Sequence, residues 1–318
     1  MNNQLNTIAS HLQNALDRLR KARIDTAQLD AEVLLAHALG IGRADLYCHR
    51  DRELTGDEKN RLDSFISRRT KKEPFAYIVG FKEFWSLKIK VTPDVLIPRP
   101  ETEGIIEQSL IAFKKTPHPH PLPSGERAKG EGLIFLDLCT GSGCVAAVLA
   151  SEFPKAQIIA TDICPAAIEV AKSNIAFAVD RVDLYCGDLF DAVPLLCKPA
   201  LSEVEGEGVG EVSLFDLITA NPPYIADGDY PALDEDIRNY EPRHALLAGT
   251  DGLAISKQII KDAPTYLKPG GTLIMEMGIG QSCPLREFAK DTGQYEAIKL
   301  VKDYSGIERI LVAKRLSF

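Results

Sequence analysis

No run of about 18 apolar residues occurs in the 318-residue chain, so nothing in it reads as a membrane-spanning helix. The start, Met1-Asn2-Asn3-Gln4, is polar and lacks the basic-then-apolar pattern of a secretory leader. Cysteines at CxxC spacing are missing too. The seven present (48, 139, 144, 164, 186, 197 and 283) are scattered and odd in number. They read as reduced thiols of a cytoplasmic protein, mostly core filler, and not as disulfides or a zinc site. Positive charge is in deficit: 37 Lys and Arg stand against 45 Asp and Glu, a formal net charge of −8. That excludes a chain-wide electrostatic DNA binder and leaves room only for a local basic patch.

What is present is ordinary for a soluble globular protein, with 45% hydrophobic and 26% charged residues, and the length predicts two domains. Residues 1–73 read as an all-helical bundle. Ile8, Leu12, Ala15, Leu16 and Leu19 fall at helical spacing. Asp25 with Gln28, and Thr55 with Glu58, have the spacing of capping boxes, and Gly40 fits a left-handed stop. The run Arg68, Arg69, Lys71, Lys72 suits a helix C-terminus, as a solvated end or a contact for an acidic partner. Residues 74–98 read as a β-hairpin linker, with strands at Tyr77-Ile78-Val79 and Leu87–Val91 and Gly80 near the bend. Arg99 is held between Pro98 and Pro100, either as a loop brace or as a lid over a site. A helix follows over about 102–113.

Two stretches, 114–132 and 197–213, are low-complexity inserts that read as disordered or extended loops, the first including His118-Pro119-His120. From Leu133 onward strands alternate with helices, which implies a parallel sheet. Strands are expected at 133–138, 157–162, 182–186, 214–220, 271–276, 295–301 and 307–314, and helices at about 144–153, 165–178, 252–267 and 283–292.

The stretch around which the chain is organised is Asn221-Pro222-Pro223-Tyr224, directly after the buried-strand run 214–220. Two prolines remove two backbone donors and stop the strand. They leave a side-chain amide, free carbonyls and an aromatic ring at the carboxyl end of a strand, where open α/β sheets bind ligands. A planar NH2 group fits there: the Asn221 oxygen and a proline carbonyl each accept one hydrogen, and Tyr224 stacks on the plane. Three earlier strand ends complete the pattern. Cys139-Thr140-Gly141-Ser142-Gly143 is a glycine turn that lets backbone approach a ligand. About 20 residues on, Asp162 is placed to take both hydroxyls of a ribose. Asp188, with Leu189, follows the next strand and can accept from an adenine amine. The third glycine of a dinucleotide site and the Lys-Ser/Thr of a P-loop are both missing. The inferred ligand is adenosine without phosphates, carrying a small reactive group.

These motifs resemble the class I S-adenosylmethionine-dependent methyltransferases, and the Asn-Pro-Pro-Tyr tetrapeptide narrows them to enzymes that methylate planar nitrogens. With Ile97-Pro98-Arg99-Pro100-Glu101-Thr102-Glu103, the Tyr77…Phe84-Trp85 hairpin and Glu241-Pro242-Arg243-His244-Ala245-Leu246, nearly the whole chain outside the inserts is similar to the release-factor glutamine methyltransferases (the HemK/PrmC family). The resemblance implies an α/β fold: a small N-terminal helical bundle, a β-hairpin linker and, over 99–318, a seven-stranded Rossmann-like methyltransferase sheet whose last strand is antiparallel. It implies S-adenosylmethionine as cofactor, held by Cys139, Thr140, Gly141, Ser142, Gly143, Asp162, Asp188, Leu189 and Asn221. Substrate contacts would be Asn221, Pro222, Pro223 and Tyr224, with Asn221, Pro222 and Tyr224 catalytic and no metal. The partner implied is a class-I peptide-chain release factor, met by a monomer through the N-terminal bundle. Cys139 stands where the family usually has glycine, which means either a turn without positive φ or a more crowded methionine end. Leu189 replaces an aromatic, and Ala248-Gly249-Thr250 a more glycine-rich segment.

Rival readings are glutamine methylation of a ribosomal protein, N6-adenine or N4-cytosine methylation by base flipping, and a binding module without turnover. The acidic charge and the lack of a Lys/Arg-dense recognition segment count against nucleic acid, and the intact tetrapeptide against mere binding.

Overall fold

The computed structural model describes residues 6–113, 132–194 and 214–317. The two inserts, and with them the His118-Pro119-His120 pair, lie outside the described residues except for Gly132. The chain divides into two compact units, Met1–Phe81 with Leu233–Tyr240, and Lys82–Ala232 with Glu241–Phe318.

The first unit is helical: α1 (Ile8–Lys21), α2 (Ala27–Leu39), α3 (Asp45–Cys48), α4 (Gly56–Arg69) and α5 (Phe75–Val79), with a further helix over Glu235–Tyr240. Ile8, Ala15, Leu16 and Leu19 form the buried stripe of α1 and pack with Leu34, Leu35, Leu62 and Ile66 in one core. The Thr55–Glu58 capping box forms, and Gly40 ends α2 at φ 68°. The Asp25–Gln28 box does not. Thr26 is the N-cap of α2, and Gln28 instead donates to Glu32 one turn on at 2.5 Å. A second correction concerns Tyr77-Ile78-Val79, which is helix α5 and not strand. Residues 76–79 are all buried, and burial overrides the strand preference of aromatic and β-branched side chains. Gly80 stops α5 at φ 82°.

The second unit opens at Lys82, inside the hairpin of β1 (Phe81–Phe84) and β2 (Leu87–Lys90). Its bend is Trp85-Ser86, not Gly80. Both residues have positive φ, 49° and 60°, as a two-residue hairpin turn of this hand requires. Trp85 is buried there: its indole N–H donates to Glu152 at 3.1 Å, and its backbone N–H to Glu103 at 2.9 Å. A 3-10 turn at Pro100–Thr102 leads into α6 (Glu103–Ala112).

The sheet then follows the sequence pattern within one or two residues at most ends: β3 (Ile134–Leu138), α7 (Cys144–Glu152), β4 (Gln157–Asp162), α8 (Pro165–Asn174), β5 (Val182–Cys186) and β6 (Phe215–Ala220). After the 233–240 excursion come α10 (Ala254–Tyr266), β7 (Leu267–Glu276), α11 (Ser282–Asp291), β8 (Tyr295–Lys302) and β9 (Glu308–Arg315), the Glu235–Tyr240 helix being α9. The helix expected over 165–178 is divided, its last turn being a separate 3-10 segment at Ala176–Ala178.

Seven strands lie in the order β5-β4-β3-β6-β7-β9-β8, and β9 runs antiparallel to both its neighbours. The chain winds outward from β3 to β5, then returns to place β6 on the other side of β3. That reversal is a topological switch point, where the carboxyl ends of strands open a crevice. Leu138 and Ala220 are register partners, so Cys139 and Asn221 leave the sheet side by side. Ala220 is also paired with Met275, which puts Glu276 beside Asn221 at the next strand end.

Candidate active site

The glycine turn after β3 is tied down from below and from the side. Asp137 is buried, and its carboxylate accepts from the Thr140 hydroxyl at 2.6 Å and the Thr219 hydroxyl at 2.7 Å, locking the turn to β6. Burial pushes the Asp137 carboxyl up to about 6 against those two bonds. Asp162 at the end of β4 accepts from the backbone N–H of Gly141 at 2.8 Å and of Cys164 at 2.9 Å. Desolvation raises its carboxyl as well. Cys139 has φ 55°, so the alternative of a turn without positive φ is wrong, and the backbone holds a left-handed conformation without glycine. Leu189, a second departure, also has positive φ, 40°.

These ends surround one cleft, lined among others by Cys139, Thr140, Gly141, Ser142, Asp162, Asp188, Leu189, Asn221 and Pro223. A Cβ at Gly141 would meet nothing within 4 Å. Gly143, Pro222 and Tyr224 do not line it. Gly143 serves packing: a Cβ there would lie 2.9 Å from that of Ala171, so α7 could not approach α8. Among the described residues that line the cleft there are Asp94, Asp137, Asp162 and Asp188 but no Lys or Arg. A phosphate would meet four carboxylates there and no lysine or arginine. A polyhydroxylated ligand with a positive centre suits the lining, which fits S-adenosylmethionine. No cluster of His, Cys, Asp and Glu able to hold a metal occurs among the described residues.

Asn221 stands on the cleft wall with its two amide ends treated differently. Nδ2 donates to the Thr102 hydroxyl at 3.1 Å, and Oδ1 is buried with no hydrogen-bond partner among the described residues. Thr102 in turn donates to Glu276 Oε2 at 2.6 Å, and the Tyr224 hydroxyl donates to Glu276 Oε1 at 3.3 Å. Glu276 is 1% exposed, and burial pushes its carboxyl up to about 7. The tetrapeptide's carbonyl end is held by Gln281, whose Nε2 donates to Tyr224 O at 2.9 Å and Gly252 O at 3.1 Å. The Ile225 N–H donates to Leu246 O and the Ala248 N–H donates to Ile225 O, a parallel bridge around Leu247 that docks the end of the 241–248 segment along the loop. Arg99 is a brace. Its Nη2 donates to Glu241 Oε1 at 2.5 Å, and it does not line the cleft.

Sequence reasoning missed Thr102, Glu276 and Gln281 as site residues. One signal was available for Glu276, a lone acid closing the apolar run Leu273-Ile274-Met275.

Residues 10–80 match the family model described as the PrmC N-terminal domain, and residues 129–302 one described as a methyltransferase domain. A protein of Coxiella burnetii named release factor glutamine methyltransferase is 39% identical over 291 residues, 91% of this chain and 92% of that relative. Its namesake from Rhodopirellula baltica is 35% identical over 307 residues, 96% of this chain and 95% of the relative. Among solved structures, the hMettl16 catalytic domain in complex with MAT2A 3′UTR hairpin 1 aligns with TM-score 0.51 at 16% identity, over 82% of this chain and 80% of that one, a likeness of fold alone.

Proposed function

The chain belongs to the release factor glutamine methyltransferase family, and from that premise we propose that it methylates the side-chain amide nitrogen (N5) of the glutamine in the Gly-Gly-Gln loop of class-I release factors, with S-adenosylmethionine as donor. The observation that carries this reading is the buried, orphaned Oδ1 of Asn221, a residue of the wall of an acid-lined cleft. A buried acceptor left unpaired costs on the order of 1–3 kcal/mol, and an incoming NH2 group recovers it.

The cofactor, when bound, supplies a methyl already activated on a cationic sulfur. Residues 139–142, Asp162, Asp188 and Leu189 would hold it. Each Asp162 oxygen accepts one backbone N–H and keeps a lone pair for a ribose hydroxyl. Asn221 Oδ1 and the Pro222 carbonyl accept the two hydrogens of the substrate amide. That fixes the nitrogen's direction and stabilises positive charge as it grows there. Tyr224 covers the amide plane. No general base is required before transfer, because the methylated nitrogen is acidic and gives its proton to water.

The test is mass spectrometry of a purified release factor after incubation with the protein and cofactor. A gain of about 14 Da on the Gly-Gly-Gln peptide is expected. Methyl incorporated only into ribosomal protein, or only into nuclease-sensitive material, would overturn the reading.

A further inference from the structure

We propose that Glu276 is a positioning residue that sets the hydrogen-bond polarity of the chain Glu276–Thr102–Asn221, and so compels Asn221 to turn its NH2 to Thr102 and to keep its oxygen free to accept. The inference rests on the reading above, in which that oxygen grips a substrate amide.

The two ends of a carboxamide are nearly equal in size, so packing does not choose which faces outward. Partners choose. A threonine hydroxyl has one proton. Above about pH 7, where Glu276 is ionised, its carboxylate only accepts, so Thr102 commits its proton to Glu276 Oε2, across 2.6 Å. What remains on Thr102 is a lone pair, and Asn221 meets it with Nδ2 at 3.1 Å. Turned over, Asn221 would set Oδ1 against an oxygen with no proton to give. The same carboxylate takes the Tyr224 hydroxyl on Oε1, so one buried charge orders both ends of the tetrapeptide.

The placement follows from the sheet. Glu276 and Asn221 each follow a register-paired residue on adjacent parallel strands, and Thr102 reaches in from the 3-10 turn before α6. The charge is costly where it sits. Burial and the nearby Glu101 raise the Glu276 carboxyl, while its bonds to Thr102 and Tyr224 and the charge of Arg309 pull it down. A neutral glutamine would be cheaper to bury and just as large, but it could donate to Thr102 as readily as accept, and the polarity would be lost.

Three variants of the full chain, Glu276→Gln, Thr102→Val and Thr102→Ser, test this against wild type. Single-turnover methyl transfer in Glu276→Gln and Thr102→Val should fall roughly 10- to 100-fold, and Thr102→Ser should keep most of the rate. A packing role gives the reverse order, since valine keeps the shape of threonine and serine leaves a gap. Titration with S-adenosylhomocysteine should give the same affinity in wild type and Glu276→Gln. In the protein without cofactor, the nuclear Overhauser contact between the Asn221 amide protons and the Thr102 methyl should be strong in wild type and weakened in Glu276→Gln. Full transfer in Glu276→Gln, or valine behaving better than serine, would overturn the proposal. If wild type methylates no release factor the functional reading fails, while the Overhauser contact still decides the wiring.

Discussion

Arg99 and Glu241 are separated by 142 positions and joined by a hydrogen-bonded ion pair of 2.5 Å, in which the Glu241 side chain is 1% exposed. Glu241 Oε2 also takes the backbone N–H of Ile97 at 3.2 Å. The pair therefore pins the 97–102 segment, which carries Thr102, to the start of the 241–248 segment alongside the tetrapeptide. Arg99→Ala removes the hydrogen-bonded counter-charge of a buried carboxylate that keeps its bond from Ile97, and a loss of roughly 1.5–3 kcal/mol is expected in urea denaturation. A loss under about 1 kcal/mol would mean the pair is only a surface contact.

Stability should depend on pH in a direction set by two buried acids. Glu276 lies at about 7 against 4.5, and Asp137 at about 6 against 3.8. In both, the folded chain keeps a proton that the unfolded chain has released. Their favourable contribution is therefore complete below the unfolded values and lost as pH rises through the folded ones. Glu276→Gln removes the larger window. It should gain up to about 3 kcal/mol on wild type in going from pH 4.5 to pH 8. Equal urea midpoint differences at the two pH values would contradict this. The same variant is expected to be more stable and less active.

Gly252 shows how tightly the loop is seated. It has φ 69°, and a Cβ there would lie 2.6 Å from Tyr224 O and 3.0 Å from Ala226 N. Gly252→Ala must displace the tetrapeptide's carbonyl end, and a misplacement of about 1 Å costs roughly 100-fold in transfer. Cofactor affinity should change far less, since Gly252 does not line the cleft. Equal losses in both would place the damage elsewhere.

Much of the catalytic fold was legible because its strands are short apolar runs punctuated by glycine and proline, and the runs 157–162 and 182–186 coincide with β4 and β5 end to end. The helix at Phe75–Val79 was not, because its side chains prefer strands in isolation and only burial decides for them. Nor was the bend at Trp85-Ser86, where two residues that usually avoid positive φ are held by the burial and bonds of Trp85. In the site, the strand-end residues from Cys139 to Ser142, Asp162, Asp188, Leu189 and Asn221 announced themselves by motif, whereas Asp94, Leu96, Thr102, His244 and Ile255 line the same cleft without one. Thr102, Glu276 and Gln281 act through Asn221 and Tyr224 from distant stretches, and such partners exist only once the chain has folded.

Asn221 Oδ1 is the group on which transfer turns. The direct measurement is single-turnover transfer to a release factor by Asn221→Ala, paired with titration of S-adenosylhomocysteine. A rate lower by roughly 100-fold, with cofactor affinity largely kept, is the expected outcome. A rate within about threefold of wild type would remove the asparagine from the chemistry, since losing one preorganised contact of this kind costs far more.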